Sequence, residues 1–473
     1  MTAPLMLIGD RWTRGSGTDT LPVENPATGR TLARLPVATA ADVEEALAAA
    51  RDGFAVWRRV SPVERGRVLR DAAGLMRARV EDMARVITLE LGKPLPESRV
   101  EVLLAAEHLE WAAEEARRTY GQVIPARDPL TLQHTVLEPV GPVAAFAPWN
   151  APVVTPSRKI GGALAAGCSM ILKPAEETPT AALMLAAMLR EAGLPDGVLN
   201  VVFGDPVMIG RMLVGSPVTK AVTFTGSTAV GTELNTLGAR TMKRMTLELG
   251  GHAPVLVLGD ADVERVARTA VPACFRNSGQ VCTSPTRFVV HSTVYERFLE
   301  TFVDTVAGLT VGDGLDEGVR MGPVANARRL AALQEMTDDA QARGAVVATG
   351  GSPLPRAGWF WRPTVLTSVP DDALAATTEP FGPLKTVRPF DDLDEAVAEA
   401  NRLPFGLASY VWTSDLDAAA HITSAIEAGS VAVNRWLPSL PETPFGGFHQ
   451  SGLGTEGGAE GLRGFLRVKY VTR

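Results

Sequence analysis

Cys282 stands near the end of FRNSGQVCTSP, residues 275–285, among the small and polar neighbours Ser278, Gly279, Gln280, Thr283 and Ser284. Such neighbours suit an exposed backbone turn better than a packed core. A thiolate held in a turn can attack a carbonyl carbon if donors catch the charge it creates. Taken alone, a single cysteine is more often a small buried apolar residue. Glu248, in LELGG, is a carboxylate in a constricted turn: a general base if burial raises its pKa, otherwise a solvated loop acid. Asn150 follows Pro148 and Trp149 where a helix begins, so its amide can donate to an oxyanion or simply cap that helix. Arg158, on the same helix, and Arg276, before Cys282, each offer a fork for a substrate carboxylate or an ordinary salt bridge. Glu176, beside Lys173, can bind two ribose hydroxyls or decorate a helix N-terminus. GSTAVG, residues 226–231, is a glycine-rich turn whose N–H groups can meet a phosphate. It departs from G-x-G-x-x-G and reads equally as a tight turn.

The elements around these residues alternate. From residue 140 onward come an apolar strand (GPVAAFAP), a helix (151–166), a strand (CSMILKP), a helix (179–192), a strand (VLNVVFG), a helix, a strand (AVTFTGS), a helix and a strand (MTLELGG). Strands separated by helical stretches of about ten to fifteen residues imply parallel β-α-β units, with ligands at the carboxyl ends of the strands. Asn150, Lys173, Glu176, Gly226, Ser227 and Glu248 all fall at such ends. The pattern restarts at HAPVLVLGD and runs to about residue 433, as a second α/β unit. Before residue 121 the chain is mostly helical; Thr39 with Asp42, and Ser61-Pro62 with Glu64, read as helix starts. HTVLEPVG reads as an extended, projecting segment, and FLRVKYVTR as a final strand.

The chain has 473 residues, a formal net charge of -7 and 21% charged residues, which argues against nucleic acid or an anionic membrane as main partner. Three cysteines form neither a disulfide framework nor a zinc pattern, so no metal site is expected and reducing cytoplasm is the expected compartment. The N-terminus lacks the features of a signal peptide, and the most apolar region, 140–172, is broken by prolines and charges.

PWN (148–150), KPAEETP (173–179), FTGS (224–227), ELGG (248–251), GQVC (279–282), EPFGP (379–383), PFGG and QSGLG occur in this order over nearly the whole chain. In this the chain resembles the aldehyde dehydrogenases. The resemblance implies an α/β aldehyde dehydrogenase-like fold. Its Rossmann-type cofactor domain would comprise 1–117 and 140–250, with a catalytic domain at 251–443 and oligomerisation segments at 118–139 and 444–473. It implies oxidation of an aldehyde to a carboxylate with NAD, NADP being possible, through a thiohemiacetal and thioester on Cys282. Asn150 would hold the oxyanion and Glu248 activate water, with Lys159 and Glu456 as a supporting pair. Lys173 and Glu176 would meet the adenosine ribose, and Trp149, Gly226 and Ser227 the pyrophosphate region. Glu379 and Phe381 would meet the nicotinamide end. Arg158, Arg276 and Ser439 together resemble the carboxylate site of succinate-semialdehyde dehydrogenases. Two guanidiniums in one small pocket would be costly without an anion, which favours a carboxylated semialdehyde. The loop NRWLPSLPETPFGG is unlike that subfamily, and Trp436 and the prolines in it are expected to reshape the pocket for an aromatic or branched aldehyde; the same chemistry on uncharged aliphatic or aromatic aldehydes is the second alternative. A catalytically idle binding protein on the same scaffold is the third alternative. A homodimer or homotetramer is expected, since a terminal strand edge calls for a partner.

Overall fold

The computed structural model describes residues 5–437 and 439–473. Two sheets dominate. In the first, eight strands are ordered Arg11–Thr13, Met6–Ile8, Leu199–Val201, Met170–Lys173, Val143–Phe146, Ala221–Thr225, Arg244–Glu248 and Gly452–Leu453. The five strands from Leu199–Val201 to Arg244–Glu248 run parallel. Parallel strands covered by helices on both faces must be apolar throughout, and MILK and VAAF are buried at every position. The second sheet has seven strands; in it Ala253–Val257 lies between Pro285–His291 and Ala408–Trp412 and runs parallel to both.

The expected helix starts form. Thr39 closes a capping box with Asp42, and Ser61 caps the Pro62–Ala78 helix. The helical run before residue 121 closes with the helix Leu95–Glu115 and a short 3-10 turn at Ala116–Arg118. Asn150 does not open a helix. The Val154–Ala166 helix begins four residues later, with Val153 at its N-cap, so capping is not the role of Asn150. Among the described residues, no helix is long and apolar enough to cross a membrane.

The C-terminal segment returns to the first sheet. Gly452 pairs with Glu248 and Leu453 with Leu247, while Ser451 Oγ donates to the Gly250 carbonyl at 2.6 Å. The last strand, Leu466–Thr472, pairs antiparallel along its length with Gln133–Pro139, which in turn pairs with Val123–Ile124. One edge of the terminal strand is thus covered within the chain.

Candidate active site

The carboxyl ends of the first sheet's parallel strands and the turns before the strands of the second sheet meet at one cavity of about 900 Å³. Each catalytic candidate reaches it from a strand end or the turn beyond one. Glu248 is the last residue of Arg244–Glu248, Asn150 lies in the turn after Val143–Phe146, and Cys282 lies in the turn before Pro285–His291. The turn before the cysteine is shaped by three consecutive left-handed residues, Asn277, Ser278 and Gly279, with φ of 50°, 56° and 71°. Glycine is required at 279, where a Cβ would stand 2.2 Å from the Gly382 carbonyl oxygen.

Cys282 Sγ lies 3.9 Å from Glu248 Oε2. Burial first, then the charges of Glu248 and Glu379, push the Cys282 thiol well above its ordinary pKa, so the resting group is a thiol. Glu248 is buried, and burial followed by the charge of Glu456 raises its pKa to about 8. The Asn150 amide donates to the Gln280 carbonyl at 3.0 Å, leaving its second N–H for a group in the cavity it lines. Lys159 Nζ lies 2.5 Å from Glu456 Oε1, which also accepts from Thr223 Oγ1 at 2.8 Å. Burial alone would raise the Glu456 pKa; Lys159 and then Arg158 more than offset this and hold it low. These groups form one buried charge network behind the base, around a small void of about 30 Å³ that Arg158, Lys159 and Glu456 line.

Trp149, Gly226, Ser227, Glu379 and Phe381 also line the large cavity. Ser227 caps the Thr228–Ala239 helix, so that helix points its N-terminus at the opening. Trp149 and Phe381 meet edge to face with centroids 5.4 Å apart. Burial raises the Glu379 pKa to about 8. Lys173 and Glu176 are outside the cavity lining: they pair with each other at 2.5 Å, and Glu176 accepts from the Gly204 N–H at 3.2 Å.

Arg158, Arg276 and Ser439 all line the cavity that holds Cys282. The premise that two bare guanidiniums crowd a small pocket needs correction. Arg158 is mostly enclosed but already has company. Its guanidinium stacks 4.4 Å over the Phe445 ring, meets His108 Nε2 at 3.4 Å and lies 3.9 Å from Glu456. Arg276 is exposed, so water screens it. Trp436 is also misplaced by sequence: it stacks on Tyr410 and Trp412 and donates to Thr269 Oγ1, away from the cavity. Leu437 lines the cavity in its stead.

Sequence reasoning missed the wall supplied by the Leu95–Glu115 helix. Glu97, Val100, Glu101 and Leu104 from that helix line the cavity. Their i, i+3, i+4, i+7 spacing is a helical stripe, and two acids within it were the available signal.

The sequence model of the aldehyde dehydrogenase family matches residues 12–471. A 4-(hydroxymethyl)benzenesulfonate dehydrogenase of Comamonas testosteroni is 47% identical over 468 residues, 99% of this chain and 98% of that protein. An NADP(+) succinate-semialdehyde dehydrogenase of Escherichia coli is 40% identical over 465 residues, 98% of this chain and 96% of its own. The solved NAD+ complex of aldehyde dehydrogenase from Bacillus cereus superposes with a TM-score of 0.97 at 34% identity, covering 100% of this chain and 96% of that one.

Proposed function

The chain belongs to the aldehyde dehydrogenase family and is an oxidoreductase, and from that premise we propose that it oxidises, with NAD or NADP, an aldehyde bearing a distal anionic group. The observation that carries this reading is that Arg158 and Arg276 line the same cavity as Cys282, Glu248 and Asn150. Two relatives support it: one is named for succinate semialdehyde, the other for a benzenesulfonate, and each of these compounds carries an anion remote from its oxidisable carbon.

The cavity suits a dinucleotide: a glycine turn and a helix N-terminus for phosphates, an aromatic pair, and a buried carboxyl at Glu379. Trp149, Gly226 and Ser227 would hold its pyrophosphate region, Lys173 and Glu176 the adenosine ribose, and Glu379 and Phe381 the nicotinamide end. When bound, the oxidised dinucleotide supplies the hydride acceptor. Glu176 should repel a 2′-phosphate, which favours NAD.

Glu248 takes the proton of the Cys282 thiol, and the sulfur adds to the aldehyde carbon. The carbonyl oxygen becomes an alkoxide held by the free N–H of Asn150 and the Cys282 backbone N–H. That alkoxide can release hydride, which a free aldehyde cannot, and a thioester on Cys282 remains. Glu248, having given the thiol proton up to solvent, then removes a proton from attacking water, the C–S bond breaks, and carboxylate and Cys282 are released. Glu456 adds to the effect of burial in raising the proton affinity of Glu248, while Arg158 and Lys159 work against it.

A second reading, oxidation of uncharged aldehydes, draws on the apolar wall of Val100, Leu104, Leu437 and Phe445. NADH formation separates the two, measured with succinate semialdehyde, 4-formylbenzenesulfonate, propanal and benzaldehyde at matched concentrations. The anionic pair should exceed the neutral pair by about tenfold or more in kcat/KM, about 1.4 kcal/mol of discrimination. R276M should remove that preference while sparing propanal; R158M should remove it and also slow propanal, since Arg158 belongs to the charge network behind Glu248. A preference for the neutral aldehydes that both variants leave intact would sink the anionic reading.

A further inference from the structure

Asn150 is the one donor in the proposed oxyanion site that comes from a side chain, so its amide must be held still before substrate arrives. Its turn has no cap of its own. Val153, the N-cap of the Val154–Ala166 helix, offers no side-chain acceptor. The helix is capped from outside: Glu101 Oε1 accepts from the Val153 N–H at 3.1 Å and from the Val154 N–H at 3.4 Å. Its other oxygen takes the ammonium of Lys93. Both side chains are buried, at 6% and 7% exposure. Lys93 Nζ also reaches the Asn150 carbonyl oxygen at 3.4 Å, and Asn277 Nδ2 donates to that same oxygen at 2.9 Å. Acid and base therefore grip both ends of residues 150–154, one at the Asn150 carbonyl and the other at the first helical N–H groups.

We propose that Lys93 and Glu101 are positioning residues for the reaction, an ion pair that clamps the 150–154 turn and so fixes the Asn150 amide toward the aldehyde oxygen. Glu101 supplies the capping acceptor that Val153, at the N-cap, lacks. Lys93 anchors the Asn150 peptide so that the side chain has one rotamer to offer. Both side chains border the cavity, but the bonds they make run to each other and to the 150–154 turn, so they act through Asn150. The inference rests on the functional reading above, in which Asn150 holds the oxyanion.

The test is a double-mutant cycle on full-length enzyme: E101Q, K93M and N150A singly, then E101Q and K93M each combined with N150A. The readouts are kcat, KM for the dinucleotide, and the rate at which iodoacetamide alkylates Cys282. N150A should lose on the order of 10²-fold or more in kcat. E101Q and K93M should each lose about tenfold or more, with KM for the dinucleotide and the alkylation rate within about twofold of the parent. In the N150A background each should lose less than about twofold, because the group they position is gone. Equal losses in both backgrounds, or an altered alkylation rate, would overturn the positioning role while leaving that of Asn150 intact. If N150A keeps full activity, the functional reading fails and this inference with it. Should E101Q not fold, K93M carries the test, since it leaves the acceptor at the helix N-terminus in place.

Discussion

Two acidic protons share the cavity at the residue scale, on the Cys282 thiol and on the Glu248 carboxyl, 3.9 Å apart. With the Glu248 pKa near 8, the carboxyl is largely protonated at neutral pH and is a base only above that range. The rate of aldehyde oxidation should therefore climb with pH and level off above about 8. E248Q should abolish that limb and lower kcat by roughly 10²–10⁴-fold, the range for loss of a general base. A profile for the Gln variant that still rises through pH 8 would assign the limb elsewhere. Cys282, Glu248 and Asn150 were legible in the sequence because each sits at a strand end or tight turn, where a polar residue has few packing reasons to be. The setting of Arg158 was not. Its contacts come from His108, Phe445 and Glu456, the last nearly three hundred residues away in the chain, and no local pattern encodes them.

At the scale of elements, helix starts and the β-α alternation could be read because capping and periodicity are local. The Val154–Ala166 helix was read three residues too early because its cap comes from another helix. The Pro179–Glu191 helix repeats the device: Thr178 makes no cap, and Glu90 accepts from the Thr180 N–H at 3.1 Å and from its hydroxyl. Glu90 is 2% exposed, and burial raises its pKa to about 7 against the bonds from Thr180. A carboxyl with a raised folded-state pKa binds its proton more tightly when folded. Its contribution is full below the unfolded value of about 4.5 and is lost as pH rises through about 7. E90Q, which cannot ionise, should gain stability relative to the parent between pH 5 and pH 8, read as the difference in Tm at each pH. A constant difference across that range would place the ionisation of Glu90 outside the folding equilibrium.

For the whole molecule, the three-stranded sheet of Val123–Ile124, Gln133–Pro139 and Leu466–Thr472 stands apart from the two large sheets. It exposes Val123, Val468 and Tyr470 at 76%, 69% and 53%. Such an apolar group beside an open strand edge invites a second copy. We expect a homodimer or homotetramer that buries this face, and V468D should drop the particle toward monomer mass in sedimentation or light scattering. An unchanged mass would move the contact to another face. The first sheet has a further consequence, in the order of synthesis. The strand bearing Glu248 is flanked on one side by Gly452–Leu453, and Lys159 finds its acid in Glu456. The base is thus seated by residues 452–456, translated long after it. A chain whose synthesis has passed Cys282 still lacks the charge network behind Glu248 until residues 452–456 have been added.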